Sequence, residues 1–338
     1  MTLKKLSAIL LLSVCSLSVK AEEADKFSYM PNVHGVVRAR YEADLNEDAS
    51  RFQVRNARLT VDGKIAPAIS YYMQIDACNQ GKMQFLDAWG RLNFTDNFYL
   101  QAGQFTMPFG VEPVFAPATY VFNNRSFIGK QVCNFRGTGV KFSYTLPKQP
   151  LTIDLGAFNS ATMEDHTVWS KHLSYTAQGK YILSNTTITA GFETIAPYAV
   201  RMNNADLTVG WKSGRWWVQG EYMYKHYCLA PQLDDTHSWV VFTDYHFPVK
   251  WAMFNRASVQ GRYDGMTNNS NGKPDAEGFV DYSNAAANRI TIGGTLTYIY
   301  KKVHADVRLN YEKYFYHSGT TYNKAYDNML SAELVVRF

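Results

Sequence analysis

The sequence predicts an all-β fold: a transmembrane, antiparallel, up-and-down β-barrel of about 16 strands. Three observations predict it. Apolar and polar residues alternate with period two almost from end to end. The alternating segments are joined by connectors that are in turn tight and elaborate, and aromatic residues gather at segment ends on the apolar side. Composition agrees. With 46% hydrophobic and 15% aromatic residues in 338, the chain is too apolar for disorder. Mean hydropathy is nevertheless −0.28, and no apolar run of about eighteen residues occurs beyond the N-terminus, which excludes a bundle of spanning helices.

The N-terminus reads as an export signal. Lys4 and Lys5 precede an apolar stretch from Leu6 to Val19, too short to span a bilayer, and Val19-Lys20-Ala21 suits signal peptidase. Residues 1–21 are therefore expected to be cleaved, leaving 22–338 as one barrel domain in the outer membrane of a Gram-negative bacterium. Removing Lys4, Lys5 and Lys20 takes the formal net charge from +5 to about +2, which makes no case for nucleic-acid binding. Three cysteines remain, Cys78, Cys133 and Cys228, and an odd number permits at most one bridge. Cys78 and Cys133 both read as lying on extracellular loops, where they could be bridged.

The strands follow in order, starting near residues 33, 52, 69, 85, 98, 138, 151, 172, 186, 205, 215, 237, 256, 288, 302 and 328. In the third, Ile69, Tyr71, Met73 and Ile75 oppose Ser70, Tyr72, Gln74 and Asp76. In the tenth, Ala205, Leu207, Val209 and Trp211 oppose Asp206, Thr208, Gly210 and Lys212. The fifteenth sets Val303, Ala305, Val307, Leu309 and Tyr311 against His304, Asp306, Arg308, Asn310 and Glu312. A helix would scatter those charges around its surface, whereas a strand segregates them. The last strand ends with Leu334, Val336 and Phe338 on one face.

Tight connectors read at 95–97, 147–150, 184–185, 213–214 and 301–302. Long ones read near 43–50, 106–137, 160–170, 195–204, 226–236, 265–287 and 315–325. Outer-membrane barrels sort their connectors in this way, with short periplasmic turns and long extracellular loops. Tyr41, Phe94, Phe98, Tyr144, Tyr181, Trp211, Trp216, Tyr245, Tyr298 and Phe338 sit at or near strand ends, where amphipathic rings favour the headgroup level.

The block Phe85–Glu112, FLDAWGRLNFTDNFYLQAGQFTMPFGVE, carries a further signal. A D-A-W strand, a short turn and the run Gly103-Gln104-Phe105-Thr106-Met107-Pro108-Phe109-Gly110 lead into the longest connector. This block resembles the phosphate-selective porin O and P family. VHGVVRARY (33–41), FQVRNARL (52–59), Arg136-Gly137-Thr138-Gly139-Val140, GAFN (156–159) and Gly220-Glu221-Tyr222 extend the resemblance over residues 33–338. The resemblance implies a passive, water-filled porin, a homotrimer, and a third extracellular loop folded into the lumen as a constriction. It also implies a path of inward arginines for phosphate. The loop would run from about Thr106 to Gly137, longer than a hairpin needs, and carries Arg125, Lys130 and Arg136 against one acid, Glu112.

With apolar faces outward, Arg38, Arg40, Arg58, Arg91, Arg289, Arg308 and Arg337 line the lumen as a candidate anion path, since guanidinium forks suit phosphate and carboxylate. Inward bases and acids balance, twelve against twelve by alternation, so many pairs can neutralise one another and selectivity must come from placement. Small hydrophilic solutes are expected to cross with a preference for anions such as phosphate, with no cofactor and no metal. Two other readings stand beside this one. The first is a channel for neutral nutrients such as oligosaccharides sliding on Tyr72, Trp89, Tyr99 and Trp217. The second is a structural or adhesive barrel with a blocked lumen. No G-x-S-x-G, H-E-x-x-H or P-loop occurs, and His172 and Ser174 read as sharing a lumenal face, so no enzyme is expected.

Overall fold

A computed structural model describes residues 28–133, 135–316 and 327–338. The predicted leader and its cleavage site lie outside the described residues, as does most of the connector expected at 315–325. Sixteen strands alternate without interruption by long helices. They are β1 (Asn32–Asp44), β2 (Ala49–Ala66), β3 (Ile69–Asn79), β4 (Lys82–Thr95), β5 (Phe98–Thr106), β6 (Arg136–Thr145), β7 (Leu151–Phe158) and β8 (Ser174–Leu183). The second half comprises β9 (Thr186–Ile195), β10 (Arg201–Ser213), β11 (Trp216–Cys228), β12 (Thr236–Trp251), β13 (Phe254–Met266), β14 (Ala287–Tyr300), β15 (Val303–Tyr316) and β16 (Met329–Arg337).

Each strand pairs antiparallel with its sequence neighbours, and β1 pairs with β16 to close the barrel. Closure removes the exposed sheet edges that hydrocarbon cannot tolerate. At the seam, Gly35 and Phe338 exchange backbone hydrogen bonds of 3.0 and 3.1 Å, so the chain's last residue completes the ladder.

The pleat sorts the residues as the alternation predicts. Val37, Leu207, Val209, Ile292 and Leu309 are exposed on the outside, while Arg38, Asp206, Thr208, Thr291 and Asn310 are buried inside. Outer rings cluster near the short turns: Phe98 lies 5.3 Å from Phe94 and 6.4 Å from Tyr144, and Trp216 lies 4.6 Å from Tyr245. These are the rings of an interfacial girdle.

Two features depart from simple alternation. The connectors at the long end are unequal, because β1 and β2 are joined by only residues 45–48, and β3 and β4 by Gln80 and Gly81. The short/long rule therefore begins only with the third loop. In β2, a bulge at Arg55 shifts the register between Arg38 and Ala39 of the partner strand. Counting back strictly from Arg58 would turn Phe52 and Val54 inward. The extra residue instead puts Phe52 and Val54 outside, exposed, and sets Gln53 opposite the inward Arg40.

The cysteine expectation is corrected. Cys78 lies within β3 rather than on a connector, and its thiol donates to the Val54 carbonyl. Cys133 is buried on the far side of the barrel, where it donates to Glu193 of β9. All three described cysteines are free thiols.

Gly103 shows where the wall requires a residue without a side chain. Its φ is +135°, and a Cβ there would run into the Ala88 carbonyl oxygen and the Trp89 backbone of β4. Gly103→Val should destabilise the barrel by about 1–3 kcal/mol from the strained φ alone, with the clash in addition. The check is the temperature at which the compact folded species converts to the unfolded one in detergent electrophoresis. Conversion at the unchanged temperature would contradict this account.

Candidate functional site: the barrel interior

Buried ion pairs organise the inner wall. Glu333 of β16 is fully buried between two arginines of β1: Arg38 Nη2 lies 2.9 Å from its Oε1, and Arg40 Nη2 2.8 Å from the same atom. Arg308 of β15 approaches its other oxygen at 3.7 Å. A second group repeats the design, with Arg289 of β14 reaching Asp264 at 2.7 Å and Glu312 at 3.1 Å, and Arg262 of β13 beside the same two acids. Burying such charges is costly, and it holds here because each carboxylate is shared by guanidinium forks.

These arginines use their remaining donors on the connector between β5 and β6, residues 107–135. Arg38 and Arg40 both donate to the Asn123 carbonyl, and Arg40 also to Asn124 Oδ1 at 2.6 Å. Arg262 donates to the Asn124 carbonyl at 2.8 Å and Arg289 to the Arg125 carbonyl at 2.7 Å. Asp264 accepts the Phe127 amide, and Asn310 accepts the Asn123 amide. The connector is thus bonded to inward side chains from β1, β13, β14 and β15.

Apolar packing fixes its other face. Phe122, Phe127, Ile128 and Val132 are buried against Met223, Val240, Phe242 and Met266, which project inward from β11, β12 and β13. Each such side chain contributes about 1.5–3 kcal/mol when fully buried. The sequence did carry a signal for this dock. Trp239-Val240-Val241-Phe242 is an apolar run within strands that otherwise alternate, and an inward apolar residue needs something dry to cover it.

Glu112 staples the connector to itself, accepting the Ser126 amide at 2.7 Å and the Ser126 hydroxyl. Its own amide and that of Val111 donate to Glu221 of β11. Arg125 donates to the Gly129 carbonyl. Lys130 lies at the connector's edge, on the wall of the outer cavity. Partial burial, with Arg55, Arg125 and Arg40 nearby, pulls its ammonium down to about 8. Arg136 is not a connector residue as expected: it opens β6 and pairs with Asp87 of β4 at 3.0 Å.

Of the other arginines singled out in the sequence, Arg58 pairs with Asp76 at 3.1 Å and Arg308 with Asp306 at 2.9 Å. Arg337 bonds His304 at 3.0 Å. Arg91 faces the interior, and among the described residues no acid pairs with it. Strict alternation missed Arg55, which enters the interior through the bulge, and gave no role to Asn123, Asn124 or Tyr120. Nor does any relay join Ser174 to His172. The Ser174 hydroxyl bonds that of Ser160, while His172 sits exposed on the 159–173 connector.

Cavities lie on both sides of the connector, and two of them share a wall residue. One, of about 300 Å³, opens toward the long-connector end and is lined by Arg40, Arg51, Arg55, Arg58, Lys130 and Arg136 among others, with Glu42 the one acid at its wall among the described residues. The other, of about 1070 Å³, opens toward the short turns and is lined by Lys180, Lys212, Arg256, Arg308 and Arg337 with Asp244 and Asp306. Tyr120 lines both. Its ring is faced by Arg38 at 5.1 Å and Arg125 at 5.2 Å, and its hydroxyl is buried without a partner.

Residues 27–181 match the phosphate-selective porin O and P family. The match covers the first half of the barrel, from β1 to β8, and includes the block from which the resemblance was read. No protein with a curated description matches the sequence. Among solved structures, the anion-selective porin of Comamonas acidovorans superposes with a TM-score of 0.62 at 12% identity, covering 91% of this chain and 98% of that one. The outer-membrane channel DcaP of Acinetobacter baumannii gives 0.63 at 14% identity, covering 94% and 100%. The trimer form of OmpT, an outer membrane protein of Vibrio cholerae, gives 0.56 at 9% identity, covering 91% and 98%. The fold is that of outer-membrane porins, and with the family match over residues 27–181 it places this barrel in the outer membrane of a Gram-negative bacterium.

Glu333 is the acid with the most to lose. Glu333→Gln should destabilise the folded barrel by about 3–5 kcal/mol, because Arg38 would then be buried without a counter-ion and Arg40 would keep only Glu42. Denaturant titration of the refolded protein checks this, and unchanged stability would mean that the pairs do not hold the seam.

Proposed function

We propose that this protein is a passive-diffusion porin whose 107–135 connector narrows the lumen, and that small hydrophilic anions cross it in preference to cations. The observation that carries the reading is the pair of cavities on either side of the connector with Tyr120 on the wall of both, inside a closed barrel with an apolar outer face. Solutes would descend from the arginine-lined outer cavity, pass Tyr120 and leave through the wider inner one. No covalent step or cofactor enters.

The arginines divide into two roles. Arg38, Arg40, Arg262 and Arg289 are engaged with acids and connector carbonyls, so they set the shape and position of the narrow point. Lys130 faces the outer cavity, whose wall also holds Arg55, Arg58, Arg125 and Arg136, and Arg308 and Arg337 line the inner one. A positive bias in a narrow, poorly screened passage concentrates anions. The anion-selective character of the Comamonas acidovorans neighbour supports this preference. The phosphate of the family's name is one such anion.

We assign the native assembly as a homotrimer. The trimeric form of the Vibrio cholerae neighbour supports it.

Single-channel recording in a planar bilayer under a KCl gradient tests the reading. Open channels with a reversal potential of anion sign are expected, and cation sign or silence from folded protein would overturn it. Lys130 adds a pH signature. Its ammonium is charged below about 8 and neutral above, so raising the pH from 7 to 9 should reduce the anion preference. Lys130→Met should start from a lower preference and lose this pH response.

A further inference from the structure

The wall formed by β3 to β6 holds two neighbouring cations, Arg91 and Lys141, on aromatic faces instead of on acids. Tyr72 and Trp89 are cross-strand partners whose rings stack at 5.2 Å with an interplanar angle of 3°. The Arg91 guanidinium lies 4.7 Å from the Trp89 ring centre and 4.1 Å from that of Tyr99. Lys141 Nζ lies 5.3 Å from the Tyr99 ring. Ring, ring, cation, ring and cation therefore follow one another across four strands. Gly103 faces Trp89 with no side chain to separate the two strands.

Arg91 and Lys141 differ from the arginines that hold the connector. Arg38, Arg40, Arg58, Arg262, Arg289 and Arg308 each have a carboxylate within ion-pairing distance. Among the described residues neither Arg91 nor Lys141 has one. Arg91 donates through Nη2 to the neutral Gln101 amide at 2.7 Å, and its Nε is buried without any partner. Stacking on a ring stabilises a cation by about 0.5–2 kcal/mol while leaving its charge uncancelled. The side chain is held in one place with its affinity for an anion intact. Tyr72, Trp89, Arg91, Tyr99 and Lys141 are all half-buried, so part of each faces the interior.

We propose that Arg91 and Lys141, set on the Tyr72–Trp89–Tyr99 stack, form a binding subsite for organic anions that carry a flat ring, with aromatic carboxylates as the substrate class. The carboxylate would pair with the two cations and the ring would lie against the exposed parts of Trp89 and Tyr99. An inorganic anion of the same charge gains only the first contact. This rests on the porin reading and gives its interior a solute preference beyond charge.

Equilibrium binding to the folded, detergent-solubilised protein tests the subsite whether or not the channel conducts. Benzoate and acetate serve as probes, followed by saturation-transfer NMR and by titration of tryptophan fluorescence. Wild type should bind benzoate at least tenfold more tightly than acetate. Arg91→Gln and Lys141→Gln should each weaken benzoate at least tenfold, and Trp89→Leu should bring benzoate down to the level of acetate. Circular dichroism and heat-modified electrophoretic mobility confirm that each variant is a folded barrel, and Lys141→Gln provides an independent reading should Arg91→Gln fail to fold. Equal affinity for the two probes, or benzoate binding unchanged in both charge variants, would overturn the proposal. A failure of the porin reading would appear elsewhere, as absent chloride current in planar bilayers.

Discussion

One buried carboxylate connects the two parts of this molecule that matter most. Glu333 belongs to the strand that closes the barrel, and the arginines it neutralises belong to the strand that opens it. Those same arginines, Arg38 and Arg40, extend past Glu333 to the Asn123 carbonyl of the long connector. Barrel closure and connector position are therefore coupled through a single charge. Arg38 could not stay buried without the acid, and the connector would lose its bonds to β1 if both arginines turned away.

The same logic explains why a lumen rich in arginine is not simply a positive tube. Charge of both signs is placed on neighbouring strands, and much of it is cancelled at distances near 3 Å. What remains active toward a solute is the fraction left over: Lys130 and its cationic neighbours above, and the ring-mounted Arg91 and Lys141 on the wall. Selectivity in such an interior is a property of placement. Counting residues of each sign shows only that the sum is small.

How legible all this was from the sequence depended on the range of the interaction. Strand number, strand order and the inward set Arg38, Arg40, Arg58, Arg91, Arg289, Arg308 and Arg337 followed from a period of two, because the pleat is local and the membrane penalises any error of face. The bulge at Arg55 was less visible, yet Phe52 and Val54 marked it, since both had to face lipid. Arg136 reads as part of the connector because nothing local separates the end of a long loop from the first residue of a strand. Whether Cys78 reaches Cys133 is a matter of distance, which alternation does not encode.

The sequence by itself determined a closed barrel of sixteen strands, its polar interior and its sorted connectors. These follow from alternation and turn chemistry, and both act over a few residues. Only the tertiary structure decided which arginines are occupied and which are available. That choice depends on which acid stands across a strand pair and which carbonyl of a loop more than eighty residues away comes within reach. It also showed that Val240 and Phe242 face inward to receive the connector, and that Arg91 rests between two rings instead of against a carboxylate. Contacts between residues distant in sequence are fixed by how the barrel closes, and closure is a property of the whole chain.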